Sequence, residues 1–404
     1  MNAAWILATL LASPTAIVNA HLEFGDGRTL EHGTVVFDSG RITSITSAAP
    51  PVGAAVIDGT GKVLTPGLIE TQTQLGLVEV ELEATTRDFA LDRVPLAPGF
   101  RAIDGFNANT VRVPLAREEG ITSVVVSPRG GVIAGTGAWI DLESRGDLRT
   151  HVRPPVAMFG AIDTDAAAVA GGARGGIWLA LRELIADARD YRTHVSAYPR
   201  GEVRPGSLSA QHLEAMLPVI DGKLPLVLAA QRASDIVAAI ELAKAQKLRI
   251  IIAGGAEAWL VAKELAAARV PVIVRPSIQA PASFETLGAR DDIATLLDRA
   301  GVPLIISAWD ADQNIRRLRQ EAGMAVAYGL PHGAALRAII ATPAAAFGKG
   351  ATHGVLATGY RADLVLWSGD PLEVTSVVER VWVGGTEEGL DTRQRALARR
   401  YLAR

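Results

Sequence analysis

Between Gly67 and about Ala346 the chain alternates short β-branched runs with Ala/Leu/Arg-rich runs of helical period. That alternation limits the possible folds more than any other feature. Strands are expected at 68–72, 122–126, 156–159, 226–229, 249–253, 270–274 and 302–306. Helical faces separate the later ones: Ile236, Ile240 and Ala243 behind an expected Ser234 N-cap, then Ile293, Leu296 and Leu297. Ile315, Leu318, Ala322 and Val326 line a further helix, and 177–192 reads as the strongest. Repeated βα units of this length favour a parallel sheet, open or closed. The stretch 87–210 is rich in Gly and Pro and reads as loops, and the fourth of eight strands is not placed.

Both flanks are β-type. At the start, 16–20, 33–37 and 41–45 read as strands, with Asp38-Ser39-Gly40 as a hairpin turn. Towards the end, 354–356, 362–367 and 380–385 do the same. This layout predicts that the two flanks fold together beside the central unit. The expected boundaries are 1–14 as a signal or N-terminal extension, 15–66 with 352–390 as a composite β unit, 67–351 as the βα unit, and 391–404 as a terminal helix.

Composition excludes several classes. Of 404 residues 49% are hydrophobic and 21% charged, which describes a globular chain, and a net charge of -3 gives no basis for binding nucleic acid. With no cysteine, disulfides and thiolate metal sites are impossible. The run 3–12 is apolar and followed by small residues, but no Lys or Arg precedes Arg28. It reads either as an export signal, placing the protein in the periplasm or outside the cell, or as a buried N-terminal segment of a cytoplasmic one. It is too short to span a bilayer.

Three groups of residues carry a family resemblance: Thr65-Pro66-Gly67-Leu68-Ile69-Glu70; the run 226–274 with Arg232-Ala233-Ser234-Asp235 and Glu257-Ala258; and Thr342-Pro343-Ala344 followed by Gly354, Gly359, Ala362-Asp363-Leu364-Val365 and Gly369-Asp370-Pro371. Together they resemble the amidohydrolase superfamily, in its imidazolonepropionase-like branch, over about 16–385. The resemblance implies a (β/α)8 TIM barrel with a composite β-sandwich. It also implies hydrolysis of non-peptide C–N bonds in small cyclic amides, using zinc or another divalent metal held at the strand C-terminal ends.

Position by position, the implied metal ligands are missing. The two strand-one histidines fall on Gln72 and Gln74, the strand-five ligand on Ala229, the strand-six ligand on Gly254, and the strand-eight aspartate on Trp309. A glutamine carbonyl replaces an imidazole poorly at a zinc site, so no metal cofactor is expected. Gln72 and Gln74 can fill the old metal cavity by bonding each other, or can meet a ligand along with Gln231, Arg232, His194, Tyr198 and Trp309. Arg232 is expected to pair with Asp235. The sequence therefore points to a catalytically impaired homologue: a structural or regulatory subunit pairing with itself or an intact relative, or a small-molecule binder. The alternative is an active hydrolase with a relocated site, using Asp310 as base near His194 or His212.

Overall fold

The computed structural model describes residues 13–144, 154–196, 208–278, 280–309 and 314–402. Alternating β-branched residues at the start of the chain form β1 (Thr15–Glu23), β2 (Thr29–Asp38), β3 (Arg41–Thr46), β4 (Ala55–Asp58) and β5 (Val63–Pro66). The β2–β3 link has Ser39 and Gly40 at φ +49° and +80°, the left-handed pair that a two-residue hairpin turn requires.

The central unit supplies β6 (Leu68–Thr73), β7 (Ile121–Val126), β8 (Ile133–Asp141), β9 (Pro155–Ala161), β10 (Leu226–Ala230), β11 (Ile250–Gly254), β12 (Val272–Val274) and β13 (Leu304–Ile306). The C-terminal part adds β14 (Leu364–Trp367), β15 (Val378–Val383) and β16 (Thr386–Glu388). β14 lies antiparallel on β5, so strands from both flanks share one sheet of order β16-β15-β14-β5-β1-β2-β3, with β4 on β1. Leu22, Phe37, Leu64, Leu364 and Trp382 meet in its core. Residues 354–356, expected as a strand, form a loop instead, tied down by Leu356 N–H donating to Phe24 O at 3.0 Å.

The second sheet has eight strands in sequence order, β6 to β13. All seven expected strands are present, and the missing one is β8, third in order rather than fourth. It runs antiparallel to both neighbours. Only the six residues 127–132 separate it from β7, too few for a parallel crossover, and the left-handed Gly130 and Gly131 reverse the chain. The helices include α1 (Arg112–Glu118), α2 (Thr164–Val169), α3 (Arg174–His194), α4 (Ala210–Ile220) and α5 (Ala233–Gln246). Later come α6 (Ala262–Ala268), α7 (Ile293–Arg299), α8 (Leu318–Ala327), α9 (His332–Ile339), α10 (Ala341–Ala346) and α11 (Arg393–Leu402). None among the described residues is long and apolar enough to cross a membrane. α5 begins at Ala233 with Arg232 at its N-cap, so Ser234 does not cap it. Glu257 does the work from outside, its Oε2 accepting Ala233 N–H at 2.9 Å.

Side chains along the strands divide by a period of two. Ile69, Val125, Val227, Ile251, Ile273 and Ile305 meet in one inner cluster, while Leu68, Val124, Leu226, Ile250, Val272 and Leu304 belong to the core that includes the helices. The first and last strands thus share an interior, although no backbone ladder joins β6 to β13 among the described residues. Glu70 connects them. Its fully buried carboxylate accepts from Ser307 Oγ, from Ala308 N at 2.8 Å and from Gln72 N at 2.9 Å. Burial pushes this carboxyl above its ordinary range, against the pull of those donors.

Glu70→Gln keeps the shape but turns an amide NH2 towards a backbone or hydroxyl donor. We expect a loss of about 1–3 kcal/mol in urea unfolding at neutral pH. Because the folded-state value is raised, folding favours the protonated form. The wild-type advantage over Glu70→Gln should be greatest below the unfolded carboxylate range and shrink as pH rises to the folded value. Equal stability of the two proteins at every pH at which both fold would contradict the joining role.

Candidate functional site

The parallel strands end around one cavity of about 240 Å³. Gln72, Phe159, Ala229, Gln231, Ala253 and Trp309 come to it from the sheet and its following loops. Arg129 arrives on the β7–β8 turn, and Asp163 and Asp165 follow β9.

The two glutamines do not behave as a matched pair. Gln72 lines the cavity, whereas Gln74 is fully buried and donates Nε2–H to Ser127 O at 3.2 Å and Ser127 Oγ at 3.3 Å. Ser127 Oγ in turn donates to Gln72 Oε1 at 3.4 Å. The amides are therefore bridged through Ser127 and do not bond each other as the sequence suggested. An unbranched amide reaching a backbone carbonyl on the next strand ties β6 to the end of β7.

Gln231 and Gly254 form a second linked pair. Gln231 Oε1 accepts Ala256 N–H at 3.1 Å, and its main-chain carbonyl accepts Glu257 N–H at 2.8 Å. Gly254 has φ +95°, and a Cβ added there would collide with the Gln231 side-chain amide. A histidine at this position would need both a strained backbone and the displacement of Gln231. Ala229 has no donor atom. Trp309, at φ +47°, packs against the inner cluster and lines the cavity where the resemblance sets an aspartate. The positions where the resemblance sets ligands hold two neutral amides, an alanine methyl, a glycine and an indole, and that set does not fit a divalent transition metal.

Other expected site residues lie elsewhere. Asp310 and Tyr198 fall outside the described residues. His194 sits exposed near the end of α3, bonded to Asp190 O at 3.0 Å, and does not line the cavity. His212 accepts Gly99 N–H on Nδ1 at 2.9 Å and is likewise not a lining residue. Arg232 is exposed, and the close partner of Asp235 is Arg174, with Nη1 2.5 Å from Oδ2. Arg174 also binds Glu285, so one guanidinium links the start of α3 to two carboxylates.

Sequence reasoning missed Asp163, the residue in the cavity with the most altered chemistry. Burial pushes its carboxyl above the usual range; the Ala166 N–H it caps at 2.8 Å opposes this, while Asp165 and Glu285 reinforce it. An acid between the end of an apolar run and a helix start was the available signal, though every N-cap aspartate gives the same one.

No protein-family model matches this chain. It is 34% identical over 93 residues to the amidohydrolase TasK of Hapsidospora irregularis, a segment covering 23% of this chain and only 9% of that protein. The crystal structure of an amidohydrolase from Thermotoga maritima MSB8 superposes with a TM-score of 0.85 at 25% identity, covering 93% of this chain and 99% of that one. An adenosine deaminase from Xanthomonas campestris, solved with bound zinc, gives a TM-score of 0.55 at 16% identity over 97% and 98% of the two chains, a likeness of fold alone. With the Thr65–Glu70 signature on β5 and β6, these relatives support a place for the chain in the amidohydrolase superfamily.

Proposed function

We propose that this chain is an amidohydrolase homologue that binds a small molecule at its strand ends and does not carry out the family's metal-dependent hydrolysis. The carrying observation is that Gln72, Ala229 and Trp309 line one cavity at the implied ligand positions, while Gly254, next to the lining residue Ala253, is held by its backbone and by Gln231. We read the curled sheet as a (β/α)8-type barrel whose first and last strands are fastened by Glu70, with 15–66 and 352–390 as the companion β unit. A single antiparallel β8 and the shared inner cluster are compatible with that reading.

The cavity suits a small polar ring. Gln72 and Gln231 offer amide groups of the kind that pair with a cyclic amide, and Trp309 offers an aromatic face beside them. Arg129, Asp163 and Asp165 add charge of both signs at the rim. A ligand binder of this kind could also act as a regulatory subunit, with occupancy of the cavity as its signal.

One observation favours a second reading. Asp163 is a half-buried carboxyl with a raised proton affinity in the same cavity, the state a general acid or base needs. In that case the chain would hydrolyse its ligand without metal, and Asp163 in place of Asp310 would move the proton.

Two measurements separate these readings. Titration with a panel of five- and six-membered cyclic amides, followed by tryptophan fluorescence, should identify a ligand, and Trp309→Ala should weaken its binding about tenfold. A panel in which no compound changes the emission, or a variant with unchanged affinity, would contradict the binding proposal. Turnover of the bound compound should be absent with and without added zinc. Hydrolysis that zinc stimulates would overturn it; zinc-independent hydrolysis abolished by Asp163→Asn would establish the second reading.

A further inference from the structure

At the edge of the curled sheet opposite the cavity, another group of residues meets. Because β8 runs antiparallel, its last residue, Asp141, lies beside Ser123 at the start of β7. The segment leading into β14 brings His353, Arg361 and Asp363 to the same place. The group thus joins the curled sheet to the sheet of the chain ends.

Ligand atoms of Asp141, His353 and Asp363 all lie within 4.8 Å of one another. His353 Nε2 is 3.2 Å from Asp141 Oδ1 and 3.6 Å from Asp363 Oδ2. Their side chains are 2%, 9% and 8% exposed, respectively, so each is more than nine-tenths buried. Despite the short distances, His353 Nε2 and Asp363 Oδ2 have no aligned hydrogen-bond partner. The two orphaned atoms face each other beside a void of about 10 Å³ lined by Ser123, His353, Arg361 and Asp363.

The surroundings fix the ring and one carboxylate. His353 Nδ1 meets Thr352 Oγ1 at 2.8 Å, and the Trp139 ring packs against the imidazole at 5.3 Å between centroids. Trp139 Nε1 and Ser123 Oγ donate to Asp141 Oδ1 at 2.7 and 3.0 Å. Arg361 is divided among Asp141, Asp363 and Glu143, so the two aspartates do not have a guanidinium each. Burial raises the Asp363 carboxyl, whereas His353 and Arg361 hold Asp141 well below the usual range despite its burial.

Protonating His353 would add positive charge, but an N–H on Nε2 would point along neither carboxylate. A cation needs no such alignment. It would use the Nε2 lone pair of a neutral ring whose Nδ1–H is donated to Thr352, the arrangement typical of metal-bound histidine. Zinc bonds of about 2.0–2.1 Å in a tetrahedron put neighbouring donors about 3.3 Å apart, close to the two spacings observed. The void is about the size that one water requires.

We propose that Asp141, His353 and Asp363 form a structural divalent-cation site, of zinc type, that fastens the two sheets together. One nitrogen and two carboxylate oxygens from the protein suit zinc, with water as the fourth ligand in the void. The site is independent of the strand-end cavity and of what that cavity binds.

The test loads the full chain with zinc chloride, removes excess by gel filtration and measures bound metal alongside the thermal midpoint. We expect about one equivalent of zinc and a midpoint that falls by several degrees on chelation. His353→Gln, shown by circular dichroism to be folded, should retain less than about a tenth of that zinc, while Gln72→Ala retains all of it. Folded wild-type protein that keeps no zinc, or folded His353→Gln that keeps its equivalent, overturns the proposal. Where His353→Gln does not fold, X-ray absorption of the zinc-loaded wild type decides instead. One imidazole among oxygen ligands supports the site, and an oxygen-only shell overturns it.

Discussion

Glu70 is the contact on which the arrangement of the strand ends depends. A curled sheet whose first and last strands share no backbone ladder among the described residues is held there by its interior and by side chains across the seam. The inner aliphatic cluster supplies non-directional attraction. Glu70 supplies register: one buried carboxylate fixes Ser307 and Ala308 against Gln72, and so sets where Gln72 and Trp309 stand. A buried acceptor without its donors would cost more than these bonds contribute, so the contact is specific as well as stabilising.

That frame explains why the altered strand ends form a consistent structure. Gln74 Nε2 holds Ser127, Gly254 makes room for the Gln231 amide, and Gln231 in turn holds the loop that carries Glu257 to cap α5. At Gly254 the neighbouring Gln231 amide occupies the space that a side chain would need. A histidine at Gly254 would therefore have to displace Gln231 and strain a left-handed backbone.

Much of the fold was legible because the strands are short, apolar and separated by helices of clear period. All seven expected strands were found, and β8 was missed because its sequence, Ile133-Ala-Gly-Thr-Gly-Ala-Trp-Ile-Asp141, carries the glycines of a loop. Its burial on both faces, not its composition, makes it a strand. The site was legible in part. Gln72, Gln231 and Trp309 reach the cavity because strand position alone determines that. His194 and Arg232 do not, since a loop or helix end carries no register by which sequence could aim them. The Arg174–Asp235 pair joins residues 61 apart, and local spacing favoured Arg232 only because nothing in the sequence records which helix packs beside which.

The account rests on the claim that the strand-end cavity is no longer a metal site. Anomalous diffraction at the zinc edge from a crystal soaked in zinc would test this most directly. The account predicts no anomalous peak among Gln72, Ala229, Gly254 and Trp309. A peak there, with Gln72 Oε1 within bonding distance, would contradict it.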